Sequence, residues 1–190
     1  MSTPDPAPDR ACDPDPGQGH DPDAGTDLPY ALPLDGRGVV VDRARAEDVP
    51  AVVALLRDDV LGAGREGPAE ELEPYLSAFA ALDADPQQLL VVARDEAGAV
   101  VATLQLTFIR GLSRGGATRM QVEAVRVAAP LRGSGLGAAL LGWAAEHGRR
   151  RGAVLAQLTT DLRRADAHRF YERLGWRYTH AGLKLDLTEP

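Results

Sequence analysis

Apolar and polar positions along the chain alternate with two periods, and the changes between them mark out its elements. Val39, Val40 and Val41 begin a strand. Val49, Val52, Val53 and Leu56 then recur at the spacing of one helix face, with Pro50 in the first turn, where a missing N–H is tolerated. Leu72, Leu76, Phe79 and Ala80 form a second helical face that ends at Asp83 to Pro86. Leu89 to Ala93 is wholly apolar, as in a central strand, and Ala99 to Ile109 alternates. The turn Asp95-Glu96-Ala97-Gly98 between them predicts a hairpin. After a glycine-rich loop from Gly111 to Gly116, a strand is predicted over Thr118–Val127. A helix follows with Leu136, Leu140, Trp143, Ala144 and His147 on one stripe, then a strand over Val154–Thr159. A last helix turns Ala167, Phe170, Tyr171 and Leu174 inward, with Gly175 at its C-cap position. Trp176–Ala181 and Leu183–Leu187 are predicted as two closing strands. The order βααβββαβαββ describes a mixed α/β domain without internal repeats.

Composition separates a leader from this domain. Residues 1–36 are rich in Pro, Asp and Gly and carry eight aspartates against Arg10, which accounts for the whole net charge of −7. Such a segment cannot bury enough surface to offset its ordering entropy, so 1–36 is expected to be a disordered acidic tail and 37–190 the folded domain. The domain itself holds equal numbers of acidic and basic residues, which argues against a nucleic-acid binder. The single cysteine, Cys12, permits no intramolecular disulfide or cysteine metal site and fits a reducing compartment. With no apolar run of membrane-spanning length and no signal-peptide pattern, the expected location is the cytoplasm, away from membranes. No metal-ligating cluster stands out.

The stretch with the clearest chemistry is Met120–Trp143, an apolar-rich strand followed by Arg132-Gly133-Ser134-Gly135-Leu136-Gly137 and a helix. Amides at a helix start lack intrahelical partners and sit at the positive end of the helix dipole, so this is a cradle for a phosphate or pyrophosphate. The spacing Gly-x-Gly-x-Gly after several strands is not the Gly-x-Gly-x-x-Gly of a dinucleotide fold, and no Gly-Lys-Ser/Thr ending makes it a P-loop.

Arg132, Gly135 and Gly137 stand as Arg-x-x-Gly-x-Gly, and Phe170-Tyr171-Glu172-Arg173-Leu174-Gly175-Trp176 follows later in the chain. In these two motifs, taken in this order, residues 38–188 resemble the GNAT-type N-acetyltransferase superfamily. The resemblance implies a mostly antiparallel mixed sheet flanked by helices and splayed between its fourth strand (Thr118–Val127) and fifth strand (Val154–Thr159). It implies acetyl-CoA as co-substrate, no metal, and a monomer or homodimer acting on a small-molecule amine. Backbone amides of Arg132, Gly133, Ser134, Gly135, Leu136 and Gly137 would hold the pyrophosphate. The backbone at Val125, Arg126 and Val127 would face the pantetheine arm. Asp161 stands where the family often has asparagine and offers no amide donor. Arg132, Arg163 and Arg164 are the nearest cations for the adenosine 3′-phosphate.

Acyl transfer to an amine needs a base, because an alkylammonium with a pKa near ~10.4 costs about 4–5 kcal/mol to deprotonate at pH 7. Strict alternation puts Gln121, Glu123, Val125 and Val127 on one face. Glu123, the only carboxylate among them, is the candidate base or anchor of a proton-conducting water; the alternative is a strand-end carboxylate paired with Arg119 or Arg126. Tyr171 occupies the motif position of the family's proton donor to the departing thiolate; the alternative is a core aromatic. Gln105 and Gln121 are the candidate acceptor-binding residues. Residues 57–85, with eight acids against Arg57 and Arg65, suggest an acidic mouth that attracts a cationic amine. A CoA-binding sensor without turnover, or a protein or peptide N-acetyltransferase, is the alternative reading of the whole.

Overall fold

The computed structural model describes residues 28–58 and 71–187. Six strands form one sheet in the order β1-β2-β3-β4-β5-β6. They are β1 (Tyr30–Ala31), β2 (Val40–Arg43), β3 (Gln88–Arg94), β4 (Val100–Arg110), β5 (Thr118–Val127) and β6 (Ala153–Gln157). Every neighbouring pair is antiparallel except β5–β6, which is parallel. The helices are α1 (Val49–Arg57), α2 (Glu73–Ala84), α4 (Leu136–Arg150) and α5 (Ala165–Arg173). A single turn, α3 (Ser113–Gly116), occupies the glycine loop, with Arg114 and Gly115 left-handed.

The two sheet faces are covered by different helices. Leu89, Val91, Leu104, Leu106, Met120 and Val122 pack against Leu136, Leu140, Trp143 and Ala144 of α4, with Phe170 and Tyr171 of α5 alongside. On the other face Val92 packs with Val49, Val52 and Val53 of α1 and Phe79 of α2. Covering on both faces explains why β3 reads as an unbroken apolar run instead of an alternating one. The buried Asp48, just before α1, accepts from the Arg94 guanidinium at 2.6 Å and from the Arg45 N–H at 2.9 Å, which ties the start of α1 to β3.

Two expectations about the chain ends are corrected. Tyr30 and Ala31 pair with Val41 and Val40, and Leu32 is buried with its N–H on the Val39 carbonyl at 2.8 Å. Residues 28–36 therefore belong to the fold, while 1–27 lie outside the described residues. Leu28, Tyr30, Leu32 and Leu34 alternate at period two, a local signal that the composition of the whole leader hides. At the other end, Trp176–Ala181 and Leu183–Leu187 form no strands. Leu183, Leu185 and Leu187 alternate, but all three are exposed; alternation makes a segment strand-competent, and only a paired neighbour makes it a strand.

His147 lies buried in α4, stacked on Trp143 and edge-on to Phe108. Burial, aided by Arg151, Arg150 and Arg43, lowers its pKa from 6.5 to about 4. The folded state holds it neutral where the unfolded chain is already protonated. Its contribution is complete above pH ~6.5 and is lost as pH falls toward ~4, a loss of about 3 kcal/mol. Urea unfolding at pH 7.5 and pH 4.5 is expected to show His147→Phe losing roughly that much less stability between the two conditions than the parent chain.

Among the described residues no helix is long and apolar enough to cross a membrane, and no group of three or more His, Cys, Asp or Glu side chains could hold a metal ion.

Candidate active site

The site is built where β5 changes face. Ala124 adopts a φ of 53°, and the β4 register moves from Gln105↔Glu123 to Thr103↔Arg126. Ala124 and Val125 thus oppose the single residue Leu104, which is a β-bulge. Alternation slips by one residue across it. Gln121 and Glu123 lie on the face of Gln105 and Thr107, whereas Val125 and Val127 pack against the α4 core. The expectation that Gln121, Glu123, Val125 and Val127 share a face is therefore corrected: period-two counting cannot pass through a residue in the left-handed region.

Beside the bulge the sheet opens. β5 pairs with β6 only from Thr118↔Ala153 to Gln121↔Gln157, where β6 ends. The remainder of β5 has no strand partner on that side among the described residues. The Val125 carbonyl accepts from the Arg126 guanidinium at 2.9 Å, and the Val127 carbonyl from Arg132 at 3.1 Å. Each carbonyl has a second lone pair for an incoming donor.

The glycine turn lies at the end of this strand. Gly133 and Gly135 have φ values of 77° and 88°, and Gly135 caps α4. The first bond into the helix runs from the Ala139 N–H to the Gly135 carbonyl at 3.0 Å. The amides of Leu136, Gly137 and Ala138 precede it, at the positive end of a 15-residue helix. The turn's side chains have other tasks. Arg132 pairs with the Asp58 carboxylate at 2.9 Å and braces the loop against the end of α1. The Ser134 hydroxyl donates to the Leu131 carbonyl at 2.7 Å. A Cβ on Gly137 would stand 3.4 Å from Phe170 and 3.6 Å from Val127, so this glycine lets α4, α5 and β5 meet.

Asp161 builds the turn before α5. Its carboxylate accepts from the Arg163 N–H at 3.0 Å and from the Arg163 guanidinium, and its carbonyl accepts from the Arg164 N–H at 2.9 Å. Tyr171, half-buried on α5, lies between Phe170 and Trp176, with ring centroids 5.3 Å and 6.1 Å away. Burial raises its pKa above the usual 10.0, and the charges of Arg126 and Arg164 act against that rise. Tyr171 is thus a phenol that keeps its proton at neutral pH, close to two cations.

Sequence comparison adds to this geometry. The pattern described as the Acetyltransferase (GNAT) family matches residues 49–176, which include both motifs, the bulge and Tyr171. The chain belongs to the GNAT acetyltransferase family. A transcriptional regulator from Bacillus halodurans C-125 has a similar crystal structure: 40% identity, a TM-score of 0.75, and coverage of 78% of this chain and 99% of that one. An acetyltransferase of Trypanosoma brucei shares the fold at 24% identity, with a TM-score of 0.63 over 78% of this chain and 99% of that one. Among curated proteins, an aminoalkylphosphonate N-acetyltransferase of Salmonella typhimurium is 43% identical over 60 residues; the match spans 32% of this chain and 39% of that relative's length.

In this GNAT chain the candidate base, Glu123, stands beside the Ala124 bulge. It is exposed, its cross-strand neighbour is Gln105, and among the described residues it forms no ion pair, so the alternative pairing with Arg119 or Arg126 is not realised. Gln105 donates to the Gln88 side chain at 3.1 Å, and Gln121 accepts from Gln157 at 2.8 Å. Gln88, Gln157 and the charge of Arg126 beside Tyr171 had no signal in sequence spacing, since each depends on a cross-strand or cross-element neighbour. Of the acids expected to form a mouth, Asp58 and Asp83 are paired with Arg132 and Arg43, and residues 59–70 lie outside the described residues.

Proposed function

We propose that the protein is an acetyl-CoA-dependent N-acetyltransferase that acetylates a primary amine of a small molecule by direct attack in a ternary complex. The observation that carries this reading is the bulge at Ala124. It turns Glu123 to one face of β5 and Val125 and Val127 to the other, beside the open edge, with the amide cradle at the strand's end. The cradle suits a pyrophosphate, since its left-handed glycines expose backbone donors at a helix start and Leu136, Gly137 and Ala138 precede the first intrahelical bond. Acetyl-CoA supplies the acetyl group already activated as a thioester.

Glu123 receives the proton that the amine loses, directly or through a water it holds, as the amine nitrogen bonds to the acetyl carbon. Tyr171 donates its phenolic proton to the sulfur as the carbon–sulfur bond breaks. Arg126 and Arg164, whose charges act on the phenol, stabilise the phenolate that remains until it is reprotonated. Thiol release from acetyl-CoA, followed across polyamines, amino acids, aminoglycosides and peptides, tests the reading. Release with at least one small amine is expected; acetyl-CoA binding without release from any of them overturns it.

Tyr171→Phe is expected to lower kcat by about tenfold. This lies below the usual range for acid–base groups, because a thiolate is already a fair leaving group. The parent enzyme should also lose activity at alkaline pH only above the ordinary tyrosine range, since burial raises the Tyr171 pKa, and the variant should lack that limb. A pH–kcat profile of the two proteins decides it.

A further inference from the structure

The face of the sheet that carries Glu123 changes character along its length. Under α1 and α2 it is apolar, with Val92 buried and Leu90 beside it. Farther along, Gln88 is paired with Thr107, Thr107 with Gln121 and Gln121 with Gln157, so one polar row crosses β3, β4, β5 and β6. The adjoining row holds Gln105 opposite Glu123. These side chains are ordered by one another. Gln105 and Thr107 both donate to the Gln88 carbonyl oxygen, at 3.1 Å and 2.7 Å, and Gln157 donates to Gln121 at 2.8 Å. All five neutral residues are half-buried. Each glutamine has two N–H donors and two lone pairs, and the contacts within the grid use only part of that capacity.

We infer that this grid holds the non-reacting part of the acceptor, and that the acceptor is an amine carrying several hydroxyl groups, of the amino-sugar or amino-polyol class. This rests on the acetyltransferase reading above. With the amine at Glu123, Gln105 lies across the strand pair at about 5 Å and Gln121 along the strand at roughly 7 Å, distances that hydroxyls on a six-membered ring or short polyol reach. The grid contains no cation. Arg119, the next residue of β5 on this face, is exposed at the rim, with its backbone roughly 13 Å along the strand from Glu123 and the Gln121 row between them. Arg126, past the bulge, pairs with Thr103 and so returns to the Glu123 face, but its guanidinium donates to the Val125 carbonyl and its charge acts on Tyr171. Among the described residues a hydroxyl-bearing amine therefore finds fixed partners in the grid, whereas an anionic one would have to draw Arg126 away from the Val125 carbonyl and Tyr171.

Thiol release from acetyl-CoA with glucosamine, cyclohexylamine and 2-aminoethylphosphonate tests this. kcat/KM for glucosamine is expected to exceed that for each of the others by about 100-fold, less than the ~10⁴–10⁵ of fully buried hydroxyl-binding sites because the grid is only half-buried. Gln121→Leu should shrink that ratio at least tenfold through the KM for glucosamine. Gln157→Leu, at the edge of the grid and farther from Glu123, removes the bond that orients Gln121 and should shrink it less and in the same parameter. Equal or faster turnover of cyclohexylamine or 2-aminoethylphosphonate overturns the inference while leaving the acetyltransferase reading intact, as does an unchanged ratio in Gln121→Leu. Absence of release with every amine overturns both.

Discussion

Glu123→Gln is expected to reduce kcat at pH 7 by a factor of about 10²–10⁴, the range in which a positioned general base contributes. The substitution keeps the shape of the side chain and its place opposite Gln105 on the outer face of β5, and removes only the ability to take up a proton. Because Glu123 is exposed and makes no ion pair among the described residues, its loss leaves no buried charge behind, and the thermal unfolding midpoint should stay within a few degrees of the parent. The variant's pH profile separates a base from a surface carboxylate. An alkylammonium has a pKa near ~10.4, so each unit of rise in pH supplies about tenfold more neutral amine. The Gln variant should recover steadily toward alkaline pH, while the parent gains less because its base already does that work. A deficit that is constant from pH 7 to 9.5, or no deficit at all, rules out the assignment.

How far the site could be read from the letters depends on how local each determinant is. Gly133, Gly135 and Gly137, and the run from Phe170 to Trp176, carry their signal within a few residues, so the glycine turn that opens α4 and the aromatic helix were legible. The bulge at Ala124 was not, because it exists only in the register between β5 and β4. Counting by twos therefore put Val125 and Val127 on the wrong face. Arg132 and Asp161 show the same limit for side chains. A phosphate-seeking role suits Arg132 by motif position, yet its guanidinium pairs with Asp58 from the far end of α1, and Asp161 is occupied with the turn before α5. At the chain ends, composition outweighed pattern for Tyr30–Ala31, and pattern without a pairing partner misled for Leu183–Leu187.

Gly135→Val should raise KM for acetyl-CoA by roughly 100-fold with little change in kcat at saturation. Gly135 sits at φ 88°, where a β-branched residue is a steric outlier that costs on the order of 1–3 kcal/mol. Relief requires the peptide units on either side of it to rotate, and those are the units whose N–H groups open α4. Losing two aligned, charge-assisted bonds to a pyrophosphate, at about 1.5 kcal/mol each, accounts for the expected factor. Binding of the donor, not proton transfer, carries the effect, because Glu123 lies on the other side of the Ala124 bulge and is untouched. Gly137→Ala provides the contrast. Its backbone is not in the left-handed region, and a Cβ there presses on Phe170 at 3.4 Å and Val127 at 3.6 Å. That variant should lose stability, measurable as a lower midpoint in urea, with a donor KM within a few-fold of the parent. If both variants bind acetyl-CoA as the parent does in calorimetric titration, the turn between Arg132 and Gly137 is a structural corner and the donor's phosphates are held elsewhere.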